Sequence, residues 1–490
     1  MRHLMTARSL ALLVVFASVG SAAVVRGNDG MTAVSALPHA ANPVQKENRR
    51  AGSRSWSLAE TAKPHKRIEG FASEVSVLPG QTVHLHISTA PAARYRIELY
   101  RLGWYRGAGA RFLACIPADC HRDQQGKARR YPRTAPSTGF ARATWPVTNT
   151  FRLPRNTVSG YVLARLVLTR GRAQGEVTYV PLIVRALPSR RSKILVQASV
   201  NTWQAYNNWG GKSLYAFNST NNVPANHVSF SRPTGAPLQW EMGLLRFLER
   251  EGYDVSYTTD VDNDRNPSEL RRHRLVISSG YDEYWSKRMR DAFEAARASG
   301  TNLAFLGANI GDWQIRYENN RRTIVEYRDA RKDPVRDPAR KTVHFGDLVP
   351  PRPQCELMGT GYEATRGVND SPRSYVVNPA ALQDAWFRGT GFTGTSELLD
   401  SVGYHWDSIK PGCALPPLTV LFRYQGTTSN GTPTSAEVVR YAARSGARVF
   451  SVGSLQFVWG LDNYYGHDVP RDARLVRFMR NALNDLASKH

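Results

Sequence analysis

The pattern of hydrophobic and polar positions divides the chain into two parts. Over residues 66–187, short runs alternate apolar and polar side chains between Gly and Pro turns, which is typical of half-buried strands in an antiparallel sheet. The clearest runs are residues 82–87, 95–100 and 161–166. We therefore predict an N-terminal β-sandwich over residues 66–187, and we find no catalytic constellation in it.

Residues 190–490 follow a second pattern, in which continuous apolar runs alternate with segments of helical periodicity. Continuous apolar strands between amphipathic helices are typical of a parallel sheet covered on both faces. We predict a doubly wound α/β domain with a long insertion from about residue 310 to 436. The predicted strands are residues 194–198, 255–257, 275–277, 303–306, 438–442 and 449–452, and the predicted helices are residues 238–250, 286–298 and 471–487.

The N-terminal 65 residues belong to neither pattern. Residues 1–23 combine two arginines, a short apolar stretch and a Gly-Ser-Ala-Ala segment, which predicts a cleaved signal peptide and a secreted or periplasmic protein. An uncleaved membrane anchor is the alternative. Residues 24–65 mix Pro, Ser, Ala, Asn and basic residues without periodicity, so we predict a flexible linker.

Charge and cysteines agree with export. The chain has 65 Lys and Arg against 40 Asp and Glu, a formal net charge of +25, which suits contact with an anionic cell envelope. The basic segments 271–274 and 316–340 are interleaved with acidic residues, so we expect no nucleic-acid partner; homo-oligomerisation is left open. The disulfides Cys115–Cys120 and Cys355–Cys413 are the simplest of the three pairings that four cysteines allow.

Polar and aromatic residues follow the predicted strands, where ligands of open parallel sheets bind. These segments are residues 201–215, 278–285, 307–309 and 453–454. Their motifs, above all Thr-Trp-Gln-Ala-Tyr-Asn at 202–207 and Ser-Gly-Tyr-Asp-Glu-Tyr-Trp-Ser at 279–286, resemble the C-terminal domain of the large (beta) subunit of N,N-dimethylformamidase and its relatives. The sequence therefore predicts a site at this edge of the sheet.

The resemblance implies a fold, a metal and its ligands. The fold is a class I glutamine amidotransferase-like (flavodoxin-like) α/β domain without the nucleophilic cysteine. The metal is a mononuclear Fe(III) held by two tyrosines and one glutamate, which map onto Tyr206, Tyr215 and Glu283. Phenolate and carboxylate oxygens suit a hard trivalent cation, and such a Lewis acid activates water and polarises an amide carbonyl.

Further candidates are weaker. Asn309 matches an asparagine of the family and would donate to a substrate oxygen, and Glu397 is a candidate acid or base. The family pattern has a histidine two residues before the metal-binding glutamate, where this chain has Tyr281, so proton transfer as in formamidase is not implied. Each of these tyrosines could instead be a packing residue. Glu283 could instead be a carboxylate that is favoured by the dipole of a nearby helix N-terminus.

Two functions of different class follow. The first is an exported iron-dependent hydrolase of the carbon–nitrogen bond of a small or envelope-derived amide. The second is a non-catalytic protein that binds carbohydrate or cell envelope with the same aromatic segments.

Overall fold

The structure is a computed structural model that describes residues 40–57, 67–366, 373–428, 430–464 and 469–488. The predicted signal peptide and residues 24–39 and 58–65 of the predicted linker lie outside the described residues. None of the described helices is long and apolar enough to cross a membrane. The described part is a mixed α/β protein with several sheets, one of which is large and contains parallel strands.

The N-terminal strands form two sheets. Their bounds are Glu69–Ala72 (β1), Ser76–Val77 (β2), Thr82–Ser88 (β3), Arg94–Leu102 (β4), Ala110–Ile116 (β5), Gln124–Gln125 (β6), Asn149–Arg152 (β7), Gly160–Leu168 (β8) and Val177–Val184 (β9). One sheet has the order β1-β3-β7, and the other has the order β2-β9-β8-β4-β5 with β6 beside β4. The predicted runs 82–87, 95–100 and 161–166 lie within β3, β4 and β8, so these strands are confirmed.

The larger N-terminal sheet is covered on both faces. On one face, Ile97 and Leu166 belong to the same hydrophobic cluster as Val83 of the smaller sheet. On the other face, the Tyr161 ring packs edge-on against Tyr257 at a centroid distance of 5.4 Å. This burial on both sides explains why β8 is almost entirely buried, whereas β3 alternates between buried and partly buried positions.

The predicted linker contains ordered structure. Helix α1, Pro43–Asn48, begins with a capping box in which Asn42 and Gln45 exchange hydrogen bonds, and Val44 is fully buried. The Glu47 carboxylate accepts a hydrogen bond of 2.9 Å from the Tyr105 hydroxyl. The segment differs from a flexible linker because tertiary contacts hold a helix too short to show a periodic pattern.

The remaining elements form the second part of the chain. The helices are Val200–Tyr206 (α2), Met242–Arg250 (α3), Asp260–Arg265 (α4), Lys287–Ala298 (α5), Cys355–Met358 (α6) and Ala473–Leu486 (α7). The strands are Ile194–Ala198 (β10), His227–Ser229 (β11), Val255–Thr259 (β12), Leu275–Gly280 (β13), Tyr284–Ser286 (β14), Asn302–Gly307 (β15), Trp313–Glu318 (β16), Thr323–Val325 (β17), Gly361–Thr365 (β18), Tyr375–Val377 (β19), Glu397–Leu398 (β20), His405–Ser408 (β21), Thr419–Thr427 (β22), Pro433–Ala442 (β23) and Arg448–Ser451 (β24).

The large sheet begins with parallel strands in the order β12-β10-β13-β15-β24. Numbered along the chain, this order is 2-1-3-4-5. Alternate residues of each strand face opposite sides: Ile277 shares a cluster with Phe247 of α3 and Phe478 of α7, whereas Val276 shares another with Phe293 of α5. The three predicted long helices are confirmed as α3, α5 and α7, and helices cover both faces of the parallel strands.

The insertion extends the same sheet. Beyond β24 the order continues β23-β22-β19-β20, and all of these strands pair antiparallel. The predicted strand 438–442 is therefore the end of β23 and runs against β24 instead of joining the parallel set. Both predicted disulfides, Cys115–Cys120 and Cys355–Cys413, are present, which indicates an extracytoplasmic protein.

Candidate metal centre

Tyr206 and Glu283 lie at the carboxyl ends of two neighbouring parallel strands. Tyr206 is the last residue of α2, which follows β10 directly, and Glu283 follows β13 after a tight turn at Gly280. Gly280 has a φ of +71°, a backbone conformation that costs free energy for residues with a Cβ. The Glu283 backbone N–H donates to the Thr202 hydroxyl at 3.0 Å, which fixes the turn against α2.

Tyr215 is placed by the loop after α2. Gly210 and Gly211 both have positive φ and reverse the chain, and the Leu214 N–H donates to the Ala205 carbonyl at 2.9 Å. The buried Arg232 guanidinium donates to loop carbonyls, among them those of Gln204 and Lys212, each at 2.9 Å. Backbone hydrogen bonds and the buried Arg232 side chain therefore hold Tyr215 beside the C-terminal end of α2.

The three predicted ligand residues converge. The Tyr215 hydroxyl lies 2.9 Å from each carboxylate oxygen of Glu283, and the Tyr206 hydroxyl lies 3.1 Å from Glu283 Oε2. The Tyr206 and Tyr215 rings stack with a centroid distance of 4.2 Å. Glu283 is 2% exposed, so the carboxylate meets both hydroxyls away from bulk water.

A second layer of hydroxyl and nitrogen groups surrounds these oxygens. The Tyr281 hydroxyl lies 2.5 Å from the Tyr206 hydroxyl, and His405 Nε2 lies 2.9 Å from the Tyr281 hydroxyl. On the Tyr215 side, the Tyr284 hydroxyl is hydrogen-bonded to the Tyr215 hydroxyl. Both tyrosine oxygens of the candidate site therefore contact a further tyrosine.

Arg328 places a positive charge beside these oxygens. Its Nη2 donates to the Tyr284 hydroxyl at 2.5 Å, and its guanidinium carbon lies 4.1 Å from the centre of the Tyr215 ring. The same carbon lies 4.6 Å from the centre of the Trp313 ring. These aromatic contacts keep the guanidinium charge beside the tyrosine oxygens.

Burial dominates the electrostatics of the cluster. It raises the pKa of Glu283 to about 7, with a further increase from Asp312 and an opposing effect of Arg328. Burial, followed by the charge of Glu283, holds the pKa of Tyr206 and of Tyr215 well above 10. Without a cation the two tyrosine oxygens therefore keep their protons at neutral pH, and a cation among them would take the place of those protons.

The donor set fits a hard, highly charged cation. Each of the two phenol oxygens lies within 3.1 Å of a Glu283 carboxylate oxygen, and oxygen-rich sites of this kind suit trivalent iron. Across the described ranges, no group of three or more His, Cys, Asp or Glu side chains could hold a metal ion. The tyrosines are thus what makes the cluster a candidate metal centre.

Asn309 lies at the end of the next strand, β15. It is 3% exposed, has a φ of +54°, and its backbone N–H donates to Asp407 Oδ1 at 2.8 Å. Its Oδ1 lies 3.5 Å from Gln354 Nε2. Burial raises the pKa of Asp407 to about 7, so this neighbouring carboxyl of the insertion titrates close to neutrality.

Glu397 is placed elsewhere. It lies in β20, the last strand of the large sheet, and its side chain is exposed. Among the described residues, no hydrogen bond or ion pair connects its carboxylate to Tyr206, Tyr215 or Glu283. The structure therefore gives Glu397 no contact with the cluster, because β20 is separated from the parallel strands by β23, β22 and β19.

Sequence reasoning did not identify His405 and Arg328. Both belong to the predicted insertion, and neither lies in a periodic run or a recognisable motif. His405 is separated by 124 residues from Tyr281, to which it is hydrogen-bonded. Tyr284 lay within the quoted motif, and only its neighbours in space show that its hydroxyl joins the site.

Residues 96–469 match a family model described as N,N-dimethylformamidase beta subunit-like, C-terminal. The match starts within β4, so it includes much of the N-terminal sheets. A curated relative, the N,N-dimethylformamidase beta subunit of Paracoccus aminophilus, is 23% identical over 283 residues, which cover 49% of this chain and 37% of the relative. The chain thus matches well under half the length of that relative.

Solved structures are similar only weakly. The mmIFT52 N-terminal domain is 13% identical, with 49% of this chain and 87% of that chain covered and a TM-score of 0.28. A β-glucuronidase from Ruminococcus gnavus is 9% identical, with 49% and 29% covered and a TM-score of 0.16. Scores this low support no conclusion about fold or function.

Proposed function

Because the chain belongs to the N,N-dimethylformamidase beta subunit-like, C-terminal family, we propose that it is an exported hydrolase of carbon–nitrogen bonds in amides. The family membership supports a relation to amide hydrolysis. Because the match covers only 37% of the curated relative, the activity and the substrate of this chain are proposals.

The observation that carries the proposal is the convergence of Tyr206, Tyr215 and Glu283 at 2.9–3.1 Å. We propose that these residues hold Fe(III). Bound there, the iron would supply Lewis acidity for the activation of water and the polarisation of an amide carbonyl. Tyr206 and Tyr215 would supply phenolate oxygens and Glu283 a carboxylate, so that the three negative charges balance the trivalent ion.

The remaining residues of the site position these groups. Arg328 holds Tyr284 and, through the aromatic stack, Tyr215; its positive charge favours negative oxygens beside it. Tyr281 contacts the Tyr206 oxygen. The side-chain amide of Asn309, at the neighbouring strand end, is our candidate donor to a substrate oxygen.

The fold supports an amidotransferase-like core that does not use a cysteine nucleophile. The parallel strand order 2-1-3-4-5 is the flavodoxin-like order, and the site lies at the carboxyl ends of its strands. All four cysteines are paired in disulfides, so a thiolate is not available. The disulfides also fit a secreted or periplasmic location.

One observation favours the alternative, a non-catalytic protein that binds carbohydrate or cell envelope. Phe217 is 71% exposed, and its ring lies 5.4 Å from the ring of Tyr215. An exposed aromatic ring beside a polar cluster is a typical stacking surface for a ligand. In the hydrolase, the same ring would border the substrate entrance.

The experiment is amine release by iron-loaded protein from a panel of amides, from N,N-dimethylformamide to longer N-acyl amines. We expect release from at least one member, loss of release in Glu283→Gln, and retention in Tyr257→Phe, which changes a buried tyrosine of β12 outside the site. No release from any amide, together with binding to envelope polysaccharide, would support the alternative.

A further inference from the structure

His405 is brought to the candidate metal centre by the insertion. It opens strand β21, where it pairs with Thr365 of β18, and its carbonyl accepts a hydrogen bond of 3.2 Å from the Leu455 N–H after β24. Its Nε2 lies 2.9 Å from the Tyr281 hydroxyl. Backbone contacts on both sides therefore fix the imidazole against Tyr281.

The imidazole is neutral in this environment. Burial lowers the pKa of His405 to about 4, and the Tyr362 and Tyr404 rings lie 5.4 and 5.1 Å from the imidazole ring. A neutral imidazole has one nitrogen that donates a hydrogen bond and one that accepts. Which nitrogen carries the proton decides the direction of every hydrogen bond from His405 to Tyr206.

One observation and one consequence of the proposed iron site favour the proton on Nε2. First, Nδ1 is buried, and among the described residues it has no hydrogen-bond partner; a buried N–H without an acceptor is costly, so a proton on Nδ1 is disfavoured. Second, Tyr206 bound to iron as proposed would be a phenolate, whose oxygen can only accept hydrogen bonds. Tyr281, 2.5 Å from it, must then donate its single hydroxyl proton to Tyr206 and accept from His405.

We propose that His405 is a positioning residue, whose Nε2–H donates to the Tyr281 oxygen and so directs the Tyr281 hydroxyl proton to the Tyr206 oxygen. This inference rests on the proposed function, since the series of hydrogen bonds from His405 through Tyr281 ends at Tyr206, a proposed iron ligand. The insertion thereby supplies a hydrogen bond that fixes the orientation and the donor strength of that ligand.

The first test is the position of the phenolate-to-iron charge-transfer band. A hydrogen bond stabilises the electrons of a phenolate, so its loss moves the band to longer wavelength. We expect this shift in His405→Phe and Tyr281→Phe, no further shift in the double variant, and the wild-type position in His405→Gln, whose amide retains an N–H donor. An unchanged band in His405→Phe, or additive shifts in the double variant, would overturn the inference.

The second test needs no iron. Nitrogen-15 NMR of metal-free protein labelled at its twelve histidines, with His405→Gln for assignment, reports which ring nitrogen is protonated. We expect a neutral ring with the proton on Nε2, and a proton on Nδ1 would overturn the inference. Wild-type protein that binds no iron would instead refute the proposed function, and the NMR result would still decide the role of His405.

Discussion

The hydroxyl of Tyr215 contacts both carboxylate oxygens of Glu283 at 2.9 Å, although 68 residues separate the two along the chain. The pairing brings together the loop after β10 and the turn after β13. Since both elements follow adjacent parallel strands, the sheet itself determines that a phenol and a carboxylate meet.

Removal of the carboxylate charge at Glu283 should abolish iron binding. Glu283→Gln keeps the shape of the side chain but leaves two phenolates to balance a trivalent cation. Changes of outer-shell partners lower metal affinity about 10–100-fold, so we expect the loss of a direct ligand to reach about 100-fold or more. The measurement is iron per chain after equilibration with a competing chelator.

The matched control is Glu397→Gln, which changes an exposed carboxylate in β20. It should hold iron like the wild type. Equal iron loss in both variants would mean that the effect at Glu283 is not specific to the site.

A Cβ at Gly280 should strain the turn that carries Glu283. In Gly280→Ala, the left-handed backbone costs about 1–2 kcal/mol, and a Cβ would lie 3.0 Å from Glu241 Cγ. Gly446→Ala is the control, because Gly446 also has positive φ but has open space around a Cβ. We expect similar backbone strain in both and a loss of iron in Gly280→Ala alone, measured by urea unfolding and metal analysis.

The Arg101–Glu249 ion pair should stabilise the contact between strand β4 of the larger N-terminal sheet and helix α3. Both side chains are 0% exposed, and Arg101 Nη2 lies 2.7 Å from Glu249 Oε1. Arg101→Met leaves a buried carboxylate without its cation, which should lower the free energy of unfolding by about 3–5 kcal/mol. Arg331→Met, at a side chain 91% exposed, should change it by less than about 0.5 kcal/mol. Similar values for the two variants would contradict the prediction.

The two disulfides should contribute unequally to stability. Cys355–Cys413 closes a loop with a sequence separation of 58, and Cys115–Cys120 one of 5. By loop entropy alone, replacing each pair with serines should lower the free energy of unfolding by about 4 kcal/mol for Cys355–Cys413 and by about 2 kcal/mol for Cys115–Cys120. Urea unfolding of the two double variants tests this order, and a larger loss from the short loop would refute the entropic explanation.

The sequence predicted the strands and helices whose burial leaves a repeating pattern of apolar residues. The apolar run 194–198 and the amphipathic segment 286–298 became β10 and α5, because burial on a sheet face or along a helix stripe leaves a repeating pattern. Helix α1 and the antiparallel direction of β23 were not predicted. Both depend on contacts with segments distant in sequence, which no local pattern records.

Some residues of the candidate site could be identified from the sequence, and others only from the structure. Tyr206, Tyr215 and Glu283 could be identified because they lie in strand-end motifs that resemble those of the N,N-dimethylformamidase family. His405 and Arg328 could not, since neither lies in a motif of the sequence, and only the folded chain brings them to Tyr281 and Tyr284.

The central claim, that Tyr206, Tyr215 and Glu283 hold iron, is tested most directly by iron content together with the visible absorption spectrum of the purified protein. We predict one iron per chain with a phenolate-to-iron charge-transfer band in the wild type and in Tyr257→Phe, and loss of both in Tyr215→Phe. Wild-type protein that stays colourless and iron-free after anaerobic reconstitution would contradict the account, as would iron and colour retained in Tyr215→Phe.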